Sequence, residues 1–330
     1  MNKDRGSAGA WVCWAIIASL ASWGPGCRES GSPPGSQPAS SGRARVALIM
    51  KARTNPFFAS MEAGARKAAG RLGVELLVLT LDRETDFAKQ AAQVEAAVAQ
   101  GARAILIAPA DSRGIVAPLK RAQDQGILII NLDNRIDPEA AAEAGLKVLT
   151  FIGPDNAAGA EKATEELIRL MGGEGEIAML EGVKGADNAR QRRAGFDRAV
   201  QRHPGIRVVD TVVADWDIAQ GQEKMAALLA RFGNLKGVFC ANDNMALGAL
   251  QAIETARRTG QVFITAYDNI QAAQAAIRAG KLHATVEQHP ELMGERGVEA
   301  AHAALTGAPV DKEIVIPTDL ITAESLRGGS

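Results

Sequence analysis

The chain has 330 residues, 47% of them apolar and 23% charged, with 37 Lys and Arg against 38 Asp and Glu and a formal net charge of −1. At roughly 100–200 residues per domain, that is enough for two domains or one large one, with ample apolar material for a core. The balanced charge leaves no general pull toward nucleic acid or an anionic membrane, which argues against a DNA-coating protein.

Residues 1–26 read as a secretory signal: Lys3 and Arg5, an apolar run from Ala10 to Trp23, then Gly24-Pro25-Gly26. The run is shorter than the roughly 20 residues a bilayer-spanning helix needs. A cysteine directly after such a run, Cys27, resembles a bacterial lipoprotein cleavage site, which implies lipidation of Cys27. Residues 27–42 are rich in Ser, Gly and Pro and read as a flexible tether. With Cys13 removed and Cys27 lipidated, only Cys240 remains, inside Gly-Val-Phe-Cys-Ala. No disulfide framework is possible, and Cys240 is expected as a small buried hydrophobe.

From Arg43 onward, ten short apolar runs alternate with amphipathic stretches. The runs are 46–50, 74–79, 104–108, 127–130, 148–152, 177–180, 208–213, 237–241, 262–266 and 282–286. Continuous Val/Ile/Leu runs mark parallel strands covered on both faces. Between the first two runs, Phe57, Phe58, Met61, Ala65, Ala68 and Leu72 recur at helical spacing. Asn55-Pro56 precedes them as cap and first-turn proline, and Gly73 ends them. Regular alternation predicts a doubly wound α/β fold, and ten strands divide better into two sheets than one, hence two lobes.

Signatures of catalysis are missing from the sequence. Met50-Lys-Ala-Arg-Thr-Asn55 occupies the first turn where a dinucleotide fingerprint would lie, and neither a phosphate loop nor a nucleophile elbow occurs. His203, His283, His289 and His302 are not spaced as metal ligands. Asp82-x-Glu84-x-Asp86 lacks the glycine and the terminal Glu of a calcium loop, so a solvated turn is expected there. No cofactor and no metal are expected.

Ligands of doubly wound sheets bind at the carboxyl ends of strands. Those ends carry Lys51, Asn55 with Phe57 and Phe58, Asp133-Asn134-Arg135, Asp155-Asn156, Arg190 to Arg193, Asp215-Trp216-Asp217, Asn242-Asp243, Asp268-Asn269 and Gln288. Sugar hydroxyls donate and accept together, so carboxylate, amide and guanidinium edges suit them, and the C–H face of a sugar ring suits a flat aromatic. The set describes a carbohydrate pocket better than an anion or lipid pocket. Taken singly, Asn55 is a helix cap, Asp133, Asp155 and Asn156 are turn residues, and the arginines are a solvated face with one pointing inward. At least one of Phe57 and Phe58 reads as core packing; Trp216 has no obvious core to join.

These residues bring a family into view. Asn55-Pro-Phe-Phe, Asn131-Leu-Asp133, Ala189-Arg-x-Arg192-x-x-Gly195-Phe196, Ala214-Asp-Trp-Asp217, Ala241-Asn-Asp-x-Met-Ala-Leu-Gly248 and Gly280-Lys-Leu-x-Ala-Thr-Val-x-Gln288 resemble periplasmic ribose- and allose-type sugar-binding proteins, the receptors of bacterial ABC importers. The resemblance spans Arg43 to about Thr322. It implies a type I periplasmic-binding-protein fold: two Rossmann-like lobes with parallel sheets, joined by three hinge crossings near 153–155, 288–290 and 317–319. The first lobe would comprise 43–153 plus 289–317, the second 154–288 plus 318–330. The implied sugar contacts are Lys51, Asn55, Phe57, Phe58, Asp133 and Asn134 from the first lobe, Arg192, Trp216, Asn242 and Asp268 from the second, and Gln288 at the hinge. Phe57 or Phe58 and Trp216 would sandwich the ring. Asn134 departs from the ribose-type arginine, with Arg135 one step late. Lys51 and Trp216 match allose-type members, which favours a hexose such as allose, or a related ketose, over ribose.

The implied protein is an exported, monomeric, non-enzymatic receptor, periplasmic or at the cell surface and held to the membrane only by lipid. Its partners are a monosaccharide and an ABC permease, with a chemoreceptor or sensor kinase as the alternative reader of closure. A lac-repressor-type regulator would need a basic helix-turn-helix where residues 1–42 stand. A sugar-active enzyme would lean on Asp215 and Asp217, which point away from Trp216 in an extended segment.

Overall fold

The computed structural model describes residues 43–328; the expected signal, tether and Cys27 lie outside them. The elements follow in strict alternation: β1 (Arg45–Ala52), α1 (Pro56–Leu72), β2 (Glu75–Leu81), α2 (Phe87–Ala99), β3 (Ala104–Ile107), α3 (Val116–Gln123), β4 (Leu128–Leu132), α4 (Pro138–Ala144) and β5 (Thr150–Pro154). The second series is α5 (Asn156–Leu170), β6 (Gly175–Glu181), α6 (Asp187–Gln201), β7 (Ile206–Val213), α7 (Ile218–Arg231), β8 (Leu235–Cys240), α8 (Asp243–Thr255), β9 (Phe263–Thr265), α9 (Gln271–Arg278) and β10 (Ala284–Glu287). The chain ends in α10 (Pro290–Leu305), β11 (Glu313–Ile316), β12 (Asp319–Thr322) and α11 (Ser325–Gly328).

Two six-stranded sheets result, in the orders β11-β5-β4-β3-β1-β2 and β12-β10-β9-β8-β6-β7. All pairings are parallel except the antiparallel edge pair β10–β12. The chain passes between the sheets three times, after β5, after β10 and between β11 and β12. The two last strands escape the sequence reading because each is only four residues long, with apolar stretches of no more than Ile314-Val315-Ile316 and Leu320-Ile321.

The continuous runs elsewhere reflect burial on both faces. Along β1, Val46, Leu48 and Met50 join the cluster under α1 and α10, while Ala47 and Ile49 join the cluster under α2 and α3. Cys240 is fully buried in the core of the second sheet, and burial pushes its thiol pKa up, as suits an inert apolar residue. Helix α1 begins as the sequence predicts: the Asn55 side chain accepts from the Phe57 N–H, Pro56 occupies the first turn, and Gly73 closes the helix at φ 66°. Helices α1 and α10 approach so closely that a Cβ at Gly64 would overlap the Glu291 carbonyl, and one at Gly294 the Met61 carbonyl.

Candidate functional site

A small cavity lies where the carboxyl ends of the two sheets face each other. Its wall on the first-sheet side consists of Lys51, Asn55, Phe57, Phe58, Glu84 and Asp133; Asn188, Arg192, Trp216, Asn242 and Asp268 face them, with Gln288 at the second crossing. Ten of the eleven residues expected from the sequence are therefore brought together, and Asn134 is not.

Lys51, at the end of β1, is the central cation of the first side. Its Nζ lies 3.5 Å from Asp133 Oδ2 and 3.8 Å from Glu84 Oε2. It also sits 5.8 Å from the Phe58 ring centre and 5.9 Å from that of Trp216, so one ammonium group touches aromatics on both walls. Phe57 and Phe58 are both buried, meet edge to face at 5.0 Å, and both join the core cluster while lining the cavity. Asn55 does two jobs: its oxygen caps α1 and its Nδ2 donates to Glu84 Oε1 at 3.1 Å.

Glu84 corrects the reading of 82–86 as a solvated turn. Its side chain is 9% exposed, and burial raises its pKa against the opposing pull of Lys51 and the Asn55 amide. The signal missed was its place at the carboxyl end of β2, the same criterion that found the other residues.

On the second side α6 supplies Asn188 and Arg192, one turn apart on one face. Of the three neighbouring arginines only Arg192 points inward; Arg190 pairs with Asp187, and Arg193 with Glu181 and Asp197. Three of the five N–H donors of the Arg192 guanidinium are engaged within the protein. Nε donates to Asn156 Oδ1 (2.9 Å), Nη1 to the Ala241 carbonyl (2.6 Å) and Nη2 to Gln288 Oε1 (3.1 Å), and the plane stacks 3.8 Å over Tyr267. Gln288 in turn donates to Asp268 Oδ1 at 2.6 Å, which lies 3.6 Å from Arg192 Nη1. Burial drives the Asp268 pKa well up, opposed by Arg192. Asn156, expected as a turn residue, thus orients the arginine.

Trp216 is 5% exposed, and it reaches the cavity over Gly182, where any Cβ would overlap the indole. Asn242 caps α8 through its oxygen and donates to the Trp216 carbonyl at 3.4 Å. One buried polar atom of the wall, Asn188 Oδ1, has no partner within the protein. Leaving such an atom unpaired costs about 1–3 kcal/mol.

Backbone strain gathers at the same place. Among the described non-glycine residues with positive φ, Asp133 (58°), Trp216 (64°) and Asp268 (121°) line the cavity. Asp215 and Asn269 adjoin them, and His289 (51°) lies at the second crossing. Each such residue costs of order 1–3 kcal/mol and persists only where its surroundings hold it.

Asn134 is fully buried yet turned from the cavity, because its side chain is consumed elsewhere. Nδ2 donates to the Pro109 carbonyl at 2.8 Å and Oδ1 accepts from the Asn188 N–H at 3.0 Å. Arg135 is no substitute; it stacks 3.7 Å over Phe151 and pairs with Glu313. Asp215 and Asp217 lie outside the cavity wall, and the Asp217 carboxylate caps α7 through the Gln220 N–H.

No helix among the described residues is long and apolar enough to cross a membrane. The periplasmic binding protein domain matches residues 46–309. The chain is 37% identical over 287 residues to the D-ribose/D-allose-binding protein of Pseudomonas aeruginosa, covering 84% of this chain and 89% of that one. It is 34% identical over 257 residues to the D-allose-binding periplasmic protein of Escherichia coli, covering 78% and 83%. A solved ABC transporter solute-binding protein from Actinobacillus succinogenes with bound D-allose superposes at TM-score 0.82 and 31% identity, covering 87% of this chain and 100% of that one. One from Agrobacterium vitis bound with alpha-D-tagatopyranose gives TM-score 0.82 at 31% identity, covering 86% and 96%. With two parallel-rich sheets, three crossings and a polar, aromatic-walled cavity between them, this chain belongs to the periplasmic binding protein family.

Proposed function

We propose that the chain is an extracytoplasmic receptor for a single monosaccharide, of the allose or ribose kind, that closes on its ligand and delivers it to an ABC importer. The observation that carries this reading is the cavity wall. Carboxylates (Asp133, Asp268), amides (Asn55, Asn242, Gln288) and cations (Lys51, Arg192) line one cavity together with the rings of Phe57, Phe58 and Trp216. Each hydroxyl of a sugar can give a proton to one and take one from another, and the ring's C–H faces meet the aromatics. Asn188 Oδ1 adds a buried acceptor that a hydroxyl would satisfy. The similarity to allose- and tagatose-bound proteins agrees with this class of ligand.

Sites on both sheets act on one ligand only when the lobes are closed, so ligand stabilises the closed form. The bodies that move are residues 43–153 with 289–317 and residues 154–288 with 318–330. Lys51 and Trp216 select a hexose or ketose over ribose, and the position that carries an arginine in ribose-type members, Asn134, contributes no group to the cavity. Lipid on Cys27 would hold the receptor at the membrane; a Cys27→Ser variant then leaves the membrane fraction for the soluble one.

The test is isothermal titration and thermal unfolding with D-allose, D-ribose, D-tagatose and D-glucose. Sugar at about a thousand times its Kd adds roughly 4 kcal/mol of stability and moves Tm by several degrees. A saturable shift with one of the four supports the reading, and allose or tagatose ahead of ribose supports Lys51 and Trp216 as selectors. No heat and no shift with any of them overturns it.

A further inference from the structure

We infer that Ser112 and Asn134 are positioning residues that cap helix α6 from the opposite lobe, so that closure itself completes the helix carrying Asn188 and Arg192. The first N–H groups of any helix lack partners within it. In the second series, α5, α7 and α8 meet this need with their own caps, Asp155, Asp217 and Asn242. Helix α6 does not: Ala186 precedes it and offers no side-chain cap. Its first-turn donors are instead taken up across the cleft. The Asp187 N–H donates to Ser112 Oγ at 3.0 Å and the Asn188 N–H to Asn134 Oδ1 at 3.0 Å. The Ser112 N–H returns a bond to the Gly185 carbonyl, also at 3.0 Å.

The acceptors are pre-aimed. Asn134 is pinned through Nδ2 to the Pro109 carbonyl (2.8 Å) and Ser112 Oγ (3.3 Å), and its own carbonyl takes a bond from Asn131 Nδ2 (2.8 Å). Ser112 and Asn134 are fully buried although neither lines the cavity. Both oxygens sit at the positive end of α6, where an acceptor is most favoured. Opening the lobes returns these two N–H groups to water and frees the turn that holds Asn188. Ligand grip and lobe contact are therefore joined through one helix.

The proposal rests on the sugar-receptor reading for its ligand, and its test separates the two. Release of D-allose is followed by stopped-flow fluorescence of Trp216, with hydrogen exchange at the Asp187 and Asn188 amides of the bound protein. Ser112→Ala is expected to release sugar roughly 2- to 30-fold faster, the range of a lost cap, and to speed exchange at Asp187. Its sugar-free Tm should fall by no more than the loss of the Asn134 Nδ2–Ser112 Oγ bond (3.3 Å) within its own lobe costs, because the bond to the Asp187 N–H exists only on closure. Ser112→Thr, which keeps the hydroxyl, restores both. Asn134→Ala loses the acceptor toward Asn188 and speeds exchange there. Unchanged release and exchange in Ser112→Ala and Asn134→Ala overturn the proposal. Should D-allose fail to bind, the ligand-free lobe-to-lobe distance distribution decides instead. A shift toward longer distances in Ser112→Ala supports the cap, and an unchanged distribution overturns it.

Discussion

Arg192 shows how a single side chain can be both structure and site. Three of its five donors hold it to Asn156, the Ala241 carbonyl and Gln288, so it meets a ligand as a fixed, oriented charge, with little rotamer entropy left to lose. Arg192→Lys keeps the charge and loses the fork, and should weaken sugar binding at least 100-fold by titration, as expected for a buried charged pair broken on one side. Trp216→Ala removes one face of the sandwich; a loss of about 2–4 kcal/mol, roughly 30- to 1,000-fold in Kd, is expected for a buried aromatic anchor. Lys51→Met should narrow the preference for allose over ribose, since a missing hydroxyl partner costs about 1–3 kcal/mol; competition titration reads it directly. Most of these residues were legible because the strand-end rule needs only the order of elements. Asn134 was not, because direction is set by the Pro109 carbonyl, 25 residues back in the chain. Glu84 and Asn188 were passed over because charge in a turn and an amide in a first helical turn look alike whether they face solvent or a cavity.

At the scale of elements, helix pairs set the distance between the layers. The α1–α10 pair relies on Gly64 and Gly294, each pressed against a carbonyl of the other helix. Gly294→Val forces the helices apart; a loss of about 1–3 kcal/mol is expected, with Tm falling several degrees in thermal unfolding. Ten strands were readable from continuous apolar runs, since burial on both faces removes the polar alternation. β11 and β12 are four residues each, with apolar stretches of three and two residues, so their existence follows only from the sheets they complete. The pairing of α1 with a helix more than 200 residues later is likewise invisible in local pattern.

For the molecule as a whole, buried carboxyls give stability a definite slope with pH. Burial pushes Asp243 from an ordinary value of 3.8 up to about 7, even though the Thr285 hydroxyl and the Ile270 N–H both bond it. Between those values the folded state binds more protons than the unfolded state, so stability falls as pH rises from about 4 to about 7. Asp268 and Glu84 shift in the same direction and add to that slope. In Asp243→Asn the decline should be shallower by roughly 2–4 kcal/mol over the window, read from denaturant unfolding at stepped pH. The same protein should contract on sugar binding, with a smaller radius of gyration by X-ray scattering in solution.

The return of α10 and β11 to the first sheet also dictates an order of assembly. A nascent chain that has emerged only as far as Glu287 already holds β6 to β10 and the helices between them, so the second sheet lacks only its edge strand β12, whereas the first sheet lacks both the helix that covers α1 and its edge strand β11. Half of the protein is therefore barred from finishing until nearly all of it has been made, and a polypeptide bound for export stays threadable through its leading portion for most of its synthesis. Chains arrested before Pro290 should accordingly resist protease across 156–287 and be cut readily within 45–154.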